Sequence, residues 1–397
     1  MKGGNFMRKS FKYYMPTRIL FGPGSLGKLS RQKLPGKRAL IVTTNGTSVV
    51  KYGYLDTLTG QLQEAGVEFV LFNKILPNPI KDHVMEGAQL CKEYRLDFVV
   101  GLGGGSAIDA AKAIAVMAAN PGDYWDYVSG GSGKGQPVPN APLPVVAITT
   151  TAGTGTEADP WTVTTKTETN EKIGFGYDGT FPVLAVVDPE LMVSVPKYLT
   201  ACQGFDALFH STEGYLSTAA DALGDLYSYR AIELVGKSLA KAVQDGADID
   251  ARSDIALANT LAGMSESTSG CISEHSLAHA LGAYHQNLEH GAALIAISAQ
   301  YYTFMAKSGA CDERMVKMAR ALGKEDARNP MDFVDALVQL QKDCGVADIK
   351  LSEYGVNYDE LPKYVANARE TMGGLFEADP AELSDAAALE ILQKSYR

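Results

Sequence analysis

Short β-branched runs bounded by Gly, Pro, Asn or Asp recur through the first half of the chain. ALIVTT at 39–44, VEFVLF at 67–72, DFVVGLG at 97–103, PVVAIT at 144–149 and VLAVVD at 183–188 predict buried strands. Between several of them the apolar positions fall at helical spacing, over 81–93 and 106–117. Repeated strand–helix units predict a parallel, doubly wound sheet, because parallel neighbours need a crossover connection and a helix is the usual one.

The texture changes near Val195 and Pro196. Beyond Leu199 the pattern is helical, as in YSYRAIELVGKSLAKAVQ at 227–244 and ARSDIALANTLAGMSES at 251–267. The pattern therefore predicts an α/β domain over residues 1–196 and an all-helical domain over residues 197–397. No internal repeat or low-complexity tract interrupts either part.

Composition narrows the function classes. The chain has 397 residues, 46% hydrophobic and 21% charged, which is ordinary for a protein with a large core. A net charge of −10 repels phosphate backbones, so no nucleic acid and no anionic membrane is expected as a partner. No run approaches the length of apolar sequence that spans a bilayer. The N-terminal MKGGNFMRKSFKYYMPTRILFG has positive charge but no apolar core, and predicts no secretory leader. The five cysteines are odd in number and form no CxxC pair. A disulfide framework is not expected, and a cytoplasmic setting is.

Two glycine-rich stretches follow predicted strands. VVGLGGGSAIDAAKAIA begins at Val99, with Gly101, Gly103, Gly104 and Gly105 leading into Ser106 and a helix. Glycines permit close backbone approach, and the first N–H groups of a helix lack internal partners and attract an anion. Ser106 and Asp109 also have the spacing of a capping box. The plainer alternative is a turn whose glycines only ease packing. The second stretch, AITTTAGTGTEAD at 147–159, follows the next strand. Ligands bind at that edge of open α/β sheets, so two such loops favour a nucleotide cleft over a bare turn.

Five of the six histidines fall between positions 210 and 290. Asp206 and His210 are four apart, and so are His275 and His279, which puts each pair on one helix face. His290 follows after a gap long enough to turn a corner. A carboxylate with imidazoles suits borderline divalent ions such as Fe²⁺ or Zn²⁺. Any one histidine is more often a partnered core or surface residue; chance explains the group poorly. Spacing alone does not choose which three of the later histidines bind. His83 reads as a helix-surface residue.

With PTRILFGPGSLGKL, LPNP at 76–79, GGGSAIDAAK, TTAGTGTE, GFDALFHSTEGY and HSLAHALGA…HG in this order, the sequence resembles the iron-containing (group III) alcohol dehydrogenase family over nearly its whole length. The resemblance implies an N-terminal Rossmann-like dinucleotide-binding domain and an all-α metal-binding domain, the dehydroquinate synthase-like architecture. It implies Asp206, His210, His275 and His290 as ligands of a divalent metal, Fe²⁺ first and Zn²⁺ second. His279 matches a non-ligand histidine that could relay a proton, and His285 matches no required position. Gly104, Gly105 and Ser106 match the pyrophosphate loop, Asp109 the acid near the nicotinamide end. Asn78, Thr150, Thr154 and Lys172 match further cofactor contacts. Thr156 stands where a serine is usual, Trp161 where some members have a polar contact, and the step from His279 to His290 is one residue longer than in better-known members.

The implied reaction is hydride transfer between NAD(P)(H) and a short-chain primary alcohol or its aldehyde, in a homodimer. An acid closing the first clear strand would bond the ribose 2′-hydroxyl and repel a 2′-phosphate. Thr44, Asn45, Gly46, Thr47 and Ser48 hold none, which favours NADP(H) over NAD(H), with Asn45 a candidate contact. Other readings are a glycerol- or propanediol-type polyol dehydrogenase and a non-catalytic metal-binding protein; the latter needs neither glycine-rich loop. A dehydroquinate synthase needs basic residues for an anionic sugar acid, and segments 204–215 and 275–291 contain no Lys or Arg.

Overall fold

The computed structural model describes residues 10–397. The first nine residues of the N-terminal stretch read above for a leader lie outside them. The chain forms two compact units, Tyr14–Ser194 and Val195–Arg397, the described residues before Tyr14 grouping with the second.

The first unit contains β1 (Arg18–Phe21), β2 (Arg38–Thr44), α1 (Ser48–Lys51), α2 (Tyr54–Glu64), β3 (Glu68–Ile75), α3 (Lys81–Glu93), β4 (Phe98–Gly103), α4 (Gly105–Ala119), β5 (Val145–Thr149), β6 (Thr162–Lys166), β7 (Glu171–Phe175) and β8 (Leu184–Val187). Six strands form a parallel sheet in the order β1-β8-β5-β4-β2-β3, and β6 and β7 form a separate antiparallel pair. Side chains alternate between the two faces of β2. Leu40 and Val42 join a core with α3 and α4, while Ala39 and Ile41 join another with Leu58 and Leu62 of α2. Both faces are covered, which is why β4 is buried at every position. The chain leaves β2 toward β3 on one side and leaves β4 toward β5 on the other. The carboxyl ends of β2 and β4 are therefore the topological switch point, where open α/β sheets bind ligands.

The second unit is all helical: α5 (Lys197–Leu216), α6 (Ala222–Gln244), α7 (Ile249–Ser269), α8 (Ser273–Tyr284), α9 (His290–Ser308), α10 (Asp312–Ala321), α11 (Met331–Asp343), α12 (Leu361–Met372), α13 (Gly374–Glu377) and α14 (Asp385–Ser395). Helix α5 is buried on every side from Gly204 onward and packs against α6, α7 and α9. Such a helix positions side chains rigidly, because its neighbours fix its rotation. Among the described residues no helix is long and apolar enough to cross a membrane.

Two details differ from the sequence pattern. The edge strand β1 and the β6–β7 pair were not among the expected strands. RILF is half exposed, and TVTTK is polar, so neither gives a buried apolar run. The capping box is also absent. Helix α4 begins at Gly105 with Gly104 as its N-cap and no side-chain cap. Ser106 is thus already helical, and its hydroxyl donates to the Pro77 carbonyl.

Candidate metal centre and cofactor loop

In the α/β unit the two glycine-rich loops pack on each other at the end of β4. The Thr150 N–H donates to the Gly103 carbonyl at 2.9 Å. A Cβ on Gly104 would stand 2.9 Å from Thr151 Oγ1, and one on Gly105 would stand 2.5 Å from Thr154 Cγ2. Both positions therefore exclude a side chain, and the first turn of α4 keeps its N–H groups clear of any side-chain cap. A helix start without a side-chain cap, with bare backbone before it, suits a diphosphate.

Gly104, Gly105, Ser106, Thr150 and Thr154 thus meet at one loop pair. Asn78 comes to its edge, since Ser106 holds Pro77 and the Thr165 N–H donates to the Pro79 carbonyl at 2.8 Å. Lys172, opposite Thr165 across the β6–β7 pair, donates to Asn78 Oδ1 at 3.0 Å. Asn45 follows the end of β2, whose Val42 pairs with Gly101 of β4, and its N–H donates to the Ile75 carbonyl at 2.8 Å.

Asp109 has an internal role in the structure. It accepts from Thr156 Oγ1 at 2.6 Å and from the Val163 N–H at 2.9 Å. Burial, only partly offset by Lys112, raises its carboxyl to about 6. Lys112 is fully buried and donates to Thr156 Oγ1, Asp159 and the Trp161 carbonyl. Trp161 therefore contributes backbone, and Thr156 a hydroxyl shared between Asp109 and Lys112.

In the helical unit four donor groups converge. Asp206 Oδ1 lies 3.4 Å from His290 Nε2, 3.7 Å from His275 Nε2 and 3.8 Å from His210 Nδ1. Helix α5 supplies Asp206 and His210 one turn apart, α8 supplies His275, and α9 opens with His290. The approach of α9 depends on Gly291, whose Cβ would strike the Cys202 carbonyl, one turn before Asp206 on α5.

Ligands about 2.1 Å from a shared ion lie roughly 3.4 Å apart at tetrahedral geometry. The three distances from Asp206 Oδ1 are near that size; donor atoms of Asp206, His275 and His290 lie within 4.8 Å of one another, as do those of His210, Cys271 and His275. Asp206 Oδ1 and His275 Nε2 are buried and have no hydrogen-bond partner in the protein. Buried polar atoms left in this way are costly unless something else satisfies them. Three imidazoles and one carboxylate suit a borderline divalent ion. The residues fit the group.

His279 is buried one turn beyond His275, its ring 5.0 Å from that of His290. His285 points elsewhere: its Nε2 pairs with Tyr364 Oη at 2.7 Å, tying the α8–α9 loop to α12. Two residues near the ligands escaped the sequence reading. Glu213 is fully buried and contacts His275 Nδ1. It follows His210 by three positions on α5, but its contact to His275 lies across to α8. Cys271 lies within 4.8 Å of ring nitrogens of His210 and His275, four residues before the latter. Burial pushes its thiol pKa well above the usual range.

Comparison with known proteins accords with this geometry. Residues 16–189 match the model for "Iron-containing alcohol dehydrogenase", and residues 200–396 that for "Fe-containing alcohol dehydrogenase family, C-terminal". The chain belongs to the iron-containing alcohol dehydrogenase family. It is 36% identical over 330 residues to alcohol dehydrogenase 4 of Schizosaccharomyces pombe, covering 82% of this chain and 76% of that one. It is 31% identical to the 1,3-propanediol dehydrogenase of Citrobacter freundii, over 98% of this chain and 99% of that one. The crystal structure of an archaeal halo-thermophilic Red Sea brine pool alcohol dehydrogenase superposes with a TM-score of 0.93 at 36% identity, over 98% of this chain and 100% of that one. The protein is therefore an oxidoreductase acting on alcohols, of a family that uses a divalent metal and a nicotinamide dinucleotide. The parallel sheet followed by an all-helical part is the architecture expected of the family.

Proposed function

We propose that this enzyme interconverts short-chain primary alcohols and their aldehydes with NADP(H), using one divalent ion, Fe²⁺ before Zn²⁺, held by Asp206, His210, His275 and His290. The observation that carries the reading is the convergence of three imidazole nitrogens on Asp206 Oδ1. Bound there, a divalent ion would supply Lewis acidity to the substrate oxygen, and the dinucleotide would accept the hydride in alcohol oxidation and donate it in aldehyde reduction. The protein's own residues do the rest. Asp206 and the three imidazoles give an overall charge of −1 to offset the ion. The backbone of Gly104 and Gly105 with the first turn of α4 binds the diphosphate, and Ser106, Thr150, Thr154, Asn78 and Lys172 line its path. Asp109 braces α4 beneath that loop. His279 relays the proton that the alcohol loses in oxidation and that the aldehyde oxygen gains in reduction. The absence of an acid over 44–48 supports NADP(H), with Asn45 beside the adenosine ribose. The homodimer and the cytoplasmic setting belong to the same reading; sedimentation equilibrium tests the first and cell fractionation the second.

The test is anaerobic aldehyde reduction by chelator-stripped protein reloaded separately with Fe²⁺ and Zn²⁺, each with NADPH and NADH. Turnover should return with metal, be faster with NADPH, and vanish in His210→Ala. Turnover without bound metal sinks the ligand reading. A preference for NADH sinks the NADP(H) reading alone.

A further inference from the structure

The helix that carries His275 begins at an apolar N-cap, Ile272, with no capping side chain of its own. Two buried carboxylates from elsewhere take its first amides. Glu213 Oε2 accepts from the Ile272 N–H at 2.7 Å, and Asp379 Oδ1 accepts from the Ser273 N–H at 3.1 Å. The two differ in one respect. Asp379 turns its other contacts to Tyr301, which donates to it at 3.1 Å. Glu213 turns its second oxygen, Oε1, to His275 Nδ1.

We propose that Glu213 is the positioning residue of the metal centre, locking His275 in the tautomer and ring orientation that aim Nε2 at the ion. The inference rests on the ligand set proposed above. A carboxylate can only accept hydrogen bonds, so the ring must carry its proton on Nδ1 and leave the Nε2 lone pair open. That nitrogen is the one that faces Asp206 Oδ1 at 3.7 Å and has no partner in the protein. The Ile272 N–H at the N-cap of α8 holds Oε2, which orients the carboxylate with Oε1 toward the ring. One group on α5 thereby fixes both the start of α8 and the aim of its first ligand. Carboxylates behind metal-bound histidines act in this way and commonly contribute 10–100-fold to metal affinity.

The experiment compares Glu213→Gln with Asp379→Asn, which perturbs the same helix start without touching a ligand. Zn²⁺ affinity is measured by competition with a chelator, and the melting temperature of the metal-free proteins is recorded alongside. Glu213→Gln should bind about 10–100-fold more weakly, while Asp379→Asn binds within about twofold of the unaltered protein. Equal affinity for Glu213→Gln and the unaltered protein overturns the inference, as does equal weakening in both variants. Should Glu213→Gln fail to fold, ¹⁵N spectra of histidine rings in the unaltered zinc-loaded protein decide. His275 should be protonated at Nδ1 with metal on Nε2, and the opposite arrangement overturns the inference. If the unaltered protein binds no zinc, or His275→Ala binds it equally well, the ligand set itself fails, a result distinct from the loss of Glu213's role alone.

Discussion

Single residues set the tolerances of both sites. Gly291 is the clearest: a methyl group there meets the Cys202 carbonyl, so α9 must shift and carry His290 with it. Gly291→Ala should cost about 1–3 kcal/mol of stability by overpacking, and should weaken zinc binding more than a distant alanine substitution of equal destabilisation. Denaturant unfolding of the metal-free protein with a zinc competition titration checks both; unchanged affinity would mean that α9 can move without disturbing the ligand. Asp109 gives a pH signature. Burial raises its carboxyl from 3.8 to about 6. Between those values the folded chain keeps a proton that the unfolded chain has released, so stability falls as pH climbs from about 4 to about 6 and levels above. The contribution is at most about 3 kcal/mol. Asp109→Asn should flatten that slope in urea unfolding measured across the range; an unchanged slope assigns it to other groups.

At the scale of elements, the start of α4 shows where the sequence pattern is informative and where it misleads. Strand, glycines and helix were readable because a buried β-branched run and an Ala-rich helix announce themselves. The N-cap was misread because serine is a common cap, and the pattern cannot show that glycines let the helix begin one residue earlier. That shift leaves the first amides uncapped and seats Thr154 against Gly105. Gly105→Ala should therefore loosen NADPH by about tenfold or more, the equivalent of roughly 1–3 kcal/mol of steric cost, with little change in zinc affinity. Fluorescence titration of the cofactor measures it, and affinity equal to the unaltered protein would remove this turn from the binding site. In α5 and α8, four-residue spacing exposed Asp206 with His210, and His275 with His279. Glu213 and Cys271 stayed hidden because their significance lies in contacts across helices, which one-dimensional spacing does not encode. His285 was conspicuous only by type; its bond to Tyr364 is likewise a tertiary fact.

Across the whole molecule, the change of hydrophobic period from strand–helix alternation to continuous helix tracks a change of task, from backbone amides suited to phosphate to side chains suited to a metal. The helical part takes its candidate ligands from three separate helices, α5, α8 and α9. Drawing them together buries Asp206 Oδ1 and His275 Nε2 without protein hydrogen bonds, a cost that folding alone does not recover. A bound ion satisfies these atoms only in the folded state, so metal and stability are linked. At free metal about 1,000-fold above its dissociation constant the linkage is worth about 4 kcal/mol. Calorimetry of zinc-loaded protein should accordingly show a melting temperature that falls on chelation and rises again on reloading. Asp206→Asn should melt at the same temperature with and without chelator, because the carboxylate on which the three imidazoles converge is gone. A chelator shift that persists in Asp206→Asn would place the stabilising ion elsewhere, and the convergence of α5, α8 and α9 would then have to be held by packing alone.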